Sequence, residues 1–462
     1  MESILAAFMV GLAAYRSKRV LRHAFDLKSR GLWASHAILI STPNGRRRLK
    51  YNKNFSIRMP PPPKPMKHFR SLDGVRGWLA WSVVLFHMIL LTAADQWKPI
   101  LANADILSRV RVPCFLIISG FVITHLLLEK KERYFPYIVR RFLRIYPLYI
   151  CCLALGMFAT YLHFAAFADN PWGNYVPQPS ILSEELAGSH GPTLRLHVLA
   201  HLTMTHGLIS DTVLPGTEYM FLGPAWQVSL EWQFYMLAPL ILLGLRTQKG
   251  KIILALTTVV GFAAFQRGWF GVFYDPSFLP GAGIYFAAGI ATRLGYPKLP
   301  TLSAYPVAAI ILAGGLVFLT RSFLPFFLWL AFITWLRVEH ATDAVSRGID
   351  RFADVALNSK VARYLGTRSY STYLVHEPII HIVVYVCIKQ FGLGIAPTVA
   401  ITFITVPIMT LCAAILLYKY VEAPFIAFGK GLFNEPDAAG ANNPIAQGAG
   451  TVPSIASVAP GS

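Results

Sequence analysis

Arg76 and His87 stand eleven residues apart inside one apolar run. At about 100° per residue a helix returns them to the same face within roughly 20°, separated by about 16 Å along its axis. A third ionisable residue, Glu231, lies about five residues into a later run and reaches a depth similar to that of His87 if the two runs enter from opposite sides. A carboxylate hydrogen-bonded to one imidazole nitrogen fixes the tautomer and raises the basicity of the other, which can then take a proton from an attacking hydroxyl. That is chemistry suited to acyl transfer. A charge at the centre of a membrane span costs roughly 2.5–3.5 kcal/mol on insertion scales, so each such residue is a functional candidate. Arg76 is read as the only basic residue well inside a span; the acids inside are Asp73, Glu231 and Glu377, and the histidines are His87, His125, His163, His376 and His381. Asp73, three residues before Arg76, also suits a helix-start pair. His125 and His163, near span ends, read as interfacial or packing residues.

These residues need elements to hold them, and the composition says which. With 55% hydrophobic and 14% charged residues in 462, too little polar surface exists to cover a soluble globule. A spanning helix needs roughly 20 mostly apolar residues. Ten runs qualify, near 72–92, 112–129, 145–167, 226–245, 252–270, 278–292, 302–320, 322–336, 370–388 and 396–418. The expected fold is an all-α polytopic bundle of about ten spans. The formal charge of +20 does not gather into a nucleic-acid patch; 15 of the 42 lysines and arginines fall between Arg16 and Arg70, and further groups at 130–144, 246–251, 293–298, 337–368 and 419–430 occupy every second loop. This positive-inside pattern places both termini in the cytoplasm, requires an even number of spans and locates the chain in the cytoplasmic membrane.

The chain divides into a basic tail, 1–67, ending in Pro60-Pro61-Pro62-Pro63-Lys64-Pro65; a membrane domain, 68–430; and a tail, 431–462, too poor in apolar bulk to fold. The first fifteen residues suit an interfacial anchor or a loose tail better than a signal peptide. Cys114, Cys151, Cys152, Cys387 and Cys412 all lie in apolar runs and read as packing residues. In the long outer loop, 168–225, an amphipathic stretch from Leu196 to Ile209 suits the membrane interface. Its aromatics Trp172, Tyr175, Tyr219 and Phe221 suit either sugar stacking or the interfacial belt. His197 and His201 are one turn apart, yet no companion ligand accompanies them, and no metal is expected.

Several motifs in fixed order resemble the bacterial membrane-bound acyltransferase family 3, whose members O-acylate surface polysaccharides and related acceptors. The resemblance covers roughly 68–427. It starts with Ser71-Leu72-Asp73-Gly74-Val75-Arg76-Gly77 and the arginine, ten residues, histidine spacing to His87. It continues through Ser119-Gly120-Phe121 and Arg140-Arg141-Phe142-Leu143-Arg144-Ile145-Tyr146-Pro147, placed in the next cytoplasmic loop at a helix start. Trp226 to Tyr235, Ser369-Tyr370-Ser371-Thr372-Tyr373-Leu374-Val375-His376 and Glu422-Ala423-Pro424-Phe425 complete it. Two departures stand out. Val112-Pro113-Cys114-Phe115 replaces the family's small or acidic residue and two aromatics, and the C-terminal esterase-like domain of some members is lacking.

The resemblance implies an acyl-coenzyme A donor, such as acetyl-CoA, on the cytoplasmic side and a glycan or glycolipid acceptor within or beyond the membrane. Arg140, Arg141 and Arg144 offer forked donors suited to its phosphates. Arg76 would hold the pantetheine arm or pyrophosphate, His376 would belong to the donor site, and Glu422 would pair with a nearby basic residue. The alternatives are a glycan or acyl-compound transporter, disfavoured by the lack of matched Gly/Pro-broken spans, and an acyltransferase for a small hydrophobic metabolite.

Overall fold

A computed structural model describes residues 70–433 apart from 99–100, 102–104, 131, 179–182, 185–186, 190, 299–312, 315–322 and 337–343. The expected tail 1–67, most of the expected tail 431–462 and most of the seventh run, 302–320, lie outside the described residues. Within them every regular element is helical. In chain order these are α1 (Arg70–Leu90), α2 (Asp105–Lys130), α3 (Tyr134–Phe167), α4 (Gly191–Leu202), α5 (Ala225–Gly244), α6 (Gln248–Gln266), α7 (Leu279–Gly295), α8 (Leu324–Trp335), α9 (Ala344–Asn358), α10 (Lys360–Thr367), α11 (Ser369–Tyr385), α12 (Ile395–Leu417) and α13 (Ala423–Gly431), besides shorter turns.

Among the described residues, five stretches are long and apolar enough to cross a membrane: Val110–Lys130, Tyr134–Phe167, Gln248–Gln266, Ser369–Gln390 and Ile395–Gly431. The protein is thus a multi-pass membrane protein. α1 and α5 have spanning length too, at 21 and 20 residues, but carry the polar residues that the sequence singles out. Buried surface locates each helix: 83% of the α11 window is buried against 6% for α6, so α11 runs through the middle of the bundle and α6 along its rim.

Local chemistry sets the boundaries. Thr247 and Ser359 cap α6 and α10 by accepting hydrogen bonds from the Gly250 and Ala362 backbone N–H groups at 3.0 and 3.2 Å. Pro280 and Pro325 open α7 and α8, where a missing N–H costs nothing. Glycines let helices cross closely. A Cβ on Gly77 would lie 2.8 Å from the Gly366 nitrogen, and one on Gly366 would collide with the Asp73 carbonyl, so α1 and α10 meet backbone to backbone. Gly120 and Gly289 do the same for α2 and α7 against Phe286 and Ile117. In the Ser119-Gly120-Phe121 motif, Gly120 is therefore a packing residue.

Three boundaries differ from expectation. α3 starts at Tyr134, about three turns before 145, so Arg140, Arg141 and Arg144 lie within a helix instead of a loop. α2 starts at Asp105 and carries Pro113 inside it, which brings Arg111 into the helix; proline usually marks a first turn, so the sequence draws that edge too late. The stretch read as a basic loop, 337–368, contains α9 and α10. Phe433, placed by sequence in the tail, packs edge-on against Phe135 with the Arg140 guanidinium 5.7 Å from its ring.

Candidate active site

Three residues of α11 at successive turns organise the site. Tyr370 and Tyr373 line a cavity with Ser369, Arg76 of α1, Phe115 of α2, and Gln227, Val228 and Glu231 of α5. Three residues beyond Tyr373 comes His376, which is fully buried. Its Nε2 lies 2.7 Å from Nδ1 of His87, and the two rings stack with centroids 4.9 Å apart. α1 and α11 thus carry the arginine pocket at one level and a histidine pair at the next. Arg76 and His87 mark the two levels on α1, as their shared face requires.

The histidine pair corrects two expectations. The group against His87 Nδ1 is the His376 imidazole where a carboxylate was expected, and His376 stands beside His87 instead of at a separate donor site. Crossing helices meet at a register that counting residues from a span end does not give. Glu231 instead shares the cavity of Arg76 and accepts a hydrogen bond of 2.7 Å from the Tyr235 hydroxyl. Gln227, Glu231 and Tyr235 recur every four residues and form one polar stripe on α5. His376 Nδ1 is buried and makes no hydrogen bond among the described residues. In the tautomer with His87 Nδ1 protonated, His376 Nε2 accepts from it and His87 Nε2 keeps its lone pair.

Arg111, which the sequence leaves at the edge of a span, sits at the same level. It is 4% exposed, donates to the Ser82 carbonyl at 3.0 Å, and holds its guanidinium 4.0 Å from the Phe86 ring centre. Its charge acts on both imidazoles of the pair.

The expected donor arginines separate in role. Arg140 pairs with Glu132 at 2.8 Å, whereas Arg141 faces the Tyr137 and Tyr235 rings, each 5.9 Å away. Arg144 and Arg76 both lie within electrostatic reach of Glu422, whose carboxylate accepts a hydrogen bond from Ser371 at 2.7 Å. The π-helical turn Tyr418–Glu422 presents that carboxylate. Tyr370 feels Glu231 and Glu422 together, so Arg76, Arg141, Arg144, Glu231 and Glu422 gather around Tyr235 and Tyr370. Asp73 contributes its carbonyl to the α1–α10 crossing, and Ser119 is buried beside Gly120.

The other face of α5 holds the site's roof. Ser229 donates to the Met204 carbonyl and accepts from the Gly207 N–H, while Gln233 donates to the Ser277 carbonyl and accepts from the Leu279 N–H. Glu218 takes hydrogen bonds from Ser277 Oγ at 2.6 Å and from the Tyr274 and Asp275 N–H groups; Tyr219 donates to Asp275 at 2.8 Å. Burial pushes Glu218 up to about 7 against these donors. Asp275 is pushed up to about 6, opposed by Tyr219 and the charge of Arg111. Trp172 and Phe221 are buried here and not free for sugar stacking. His197 and His201 are joined by His206, whose ring lies parallel to that of His201 at 4.2 Å. Stacked rings keep their in-plane lone pairs apart, and no metal-holding group of three occurs among the described residues.

The profile of the Acyltransferase domain, acyltransferase 3, matches residues 69–418. This chain belongs to acyltransferase family 3. Acyl transfer to a hydroxyl is accelerated where a base and a polarising group meet at one point. The chain is also similar to the peptidoglycan O-acetyltransferase OatA of Listeria monocytogenes, 23% identical over 416 residues. That alignment takes in 82% of this chain and 60% of the relative's length. No solved structure matches the chain. At Val112 to Phe115, where the sequence departs from the expected family pattern, α2 continues past Pro113, Cys114 packs near the Pro325 carbonyl, and Phe115 lines the arginine pocket.

Proposed function

We propose that this protein transfers an acetyl group from acetyl-CoA to a hydroxyl of a cell-envelope glycan or glycolipid, with His87 as the general base. The observation that carries the reading is the 2.7 Å contact between His87 and His376, set one level from the arginine pocket along α1 and α11. As the acceptor oxygen forms its bond to the acyl carbon, His87 Nε2 takes the hydroxyl proton. His376 Nε2 holds the Nδ1–H of the resulting imidazolium, in the place a carboxylate takes in other acyl-transfer sites. Collapse of the tetrahedral adduct breaks the carbon–sulfur bond, and the thiolate leaves with the proton from His87. A positioned base of this kind contributes roughly 10²–10⁴-fold to rate.

Arg76, Arg141 and Arg144 form the donor end. Two carboxylates, Glu231 and Glu422, balance their charge before an anionic donor arrives. The positive-inside distribution puts that end in the cytoplasm, with ten spans in the cytoplasmic membrane. The likeness to a peptidoglycan O-acetyltransferase supports a glycan acceptor. Purified full-length protein given labelled acetyl-CoA and a glycan fragment should label the glycan, and His87→Ala should abolish labelling at unchanged protein amount. Full activity in His87→Ala, or substrate movement without acyl transfer, refutes the reading.

A further inference from the structure

The role of Arg111 is open, and its position is costly. A guanidinium 4% exposed within α2 carries a charge into the bundle, where it needs compensation. Its surroundings fix it in space. The Ser82 carbonyl accepts from one terminal nitrogen, and the Phe86 ring lies 4.0 Å from the guanidinium carbon. Phe86 adjoins His87, with ring centres 5.6 Å apart. The guanidinium is therefore no further from the His87 ring centre than those two legs end to end, and its charge acts on His87, His376 and Tyr373. Asp275, from the loop between α6 and α7 and held by the Tyr219 hydroxyl, lies within electrostatic reach of the guanidinium.

We propose that Arg111 is a catalytic residue that binds the carbonyl oxygen of the acyl group beside His87, with Asp275 holding its charge in place. This rests on the acyl-transfer reading. When the acceptor oxygen bonds to the acyl carbon, the carbonyl electron pair moves onto oxygen while the hydroxyl proton moves to His87. The negative charge so formed meets a cation that is already desolvated and oriented, the condition under which such a donor contributes most. A planar fork also suits this task better than an ammonium, because two N–H groups share one plane with the oxygen.

The test uses the full chain in lipid nanodiscs with acetyl-CoA and a glycan fragment. Arg111→Gln should lower kcat by about 10²–10³-fold, the loss seen when one oxyanion donor is removed, with donor KM changed less than threefold and Tm near that of the parent. Should Arg111→Gln fail to accumulate, Arg111→Lys decides: kcat at least tenfold lower at unchanged donor KM supports the role, and an unchanged kcat overturns it. Asp275→Asn should lower kcat by less than either. Parental kcat in Arg111→Gln beside an inactive His87→Ala overturns this role alone, whereas an active His87→Ala overturns the acyl-transfer reading beneath it.

Discussion

Removing His376 tests the histidine pair directly. His376→Leu keeps most of the volume of a fully buried side chain but takes away the acceptor 2.7 Å from His87 Nδ1. That hydrogen bond matters most when His87 carries the proton, and a hydrogen bond to a charged group is worth about 1.5–3 kcal/mol. At about 1.36 kcal/mol per factor of ten, kcat/KM should fall by about 10- to 150-fold. His376→Gln places an amide oxygen within reach of the same N–H and should recover part of the loss. His87→Ala removes the base itself and should cost about 10²–10⁴-fold. Because His376 acts through His87, the double variant should be no slower than His87→Ala alone. The assay is acetyl transfer to a glycan fragment in nanodiscs, with Tm recorded for each variant. Losses that multiply in the double variant, or a His376→Gln no better than His376→Leu, would show that His376 works elsewhere.

Glu231→Gln keeps the contact with Tyr235 but removes a negative charge from the cavity of Arg76, so donor KM should fall two- to tenfold while the pH profile of kcat stays in place; a displaced acid limb would return Glu231 to the base. Gly366→Ala drives a methyl group into the Asp73 carbonyl, where backbone cannot yield, and should cost about 1–3 kcal/mol, seen as a lower Tm together with lost activity. Burial raises the Glu218 carboxyl to about 7 from an ordinary value near 4.5. A raised value means the folded form binds a proton that the opened form releases. The contribution is therefore complete below about 4.5 and is lost as pH rises through about 7, on the order of 1–3 kcal/mol in all. Hydrogen exchange across 210–220 should accelerate from pH 5 to 8 in the parent and less in Glu218→Gln.

The all-helical membrane class, the arginine-to-histidine stripe and the motif order were legible because each depends on local periodicity or composition. A shared face follows from eleven residues at helical pitch and needs no knowledge of neighbours. Partner choice is different. Whether His87 meets Glu231 or His376 depends on where α1, α5 and α11 cross, whereas Gly74, Gly77 and Gly366 set only how α1 meets α9 and α10. Arg111 escaped notice because Pro113 imitates a helix start and hides the two turns before it. α9 and α10 were hidden by their basic residues, which resemble a loop when only hydropathy is counted.

α5 shows why the motif from Trp226 to Tyr235 needs so many polar residues inside a bundle. Gln227 and Glu231 line the arginine cavity, with Tyr235 donating to Glu231, whereas Ser229 and Gln233 clasp the loops around 204–207 and 277–279. One helix thus joins the charged pocket to the roof that carries Asp275 towards Arg111. Each polar group would destabilise an isolated span, yet each of these two clasps satisfies backbone groups that a buried loop leaves exposed to hydrocarbon. Loops enter the bundle because Ser229 and Gln233 take the place of water. Replacing either residue with an apolar one should therefore disturb the roof before it disturbs α5, and the chemistry should fail through displacement of Asp275 and Arg111 while the arginine pocket stays formed.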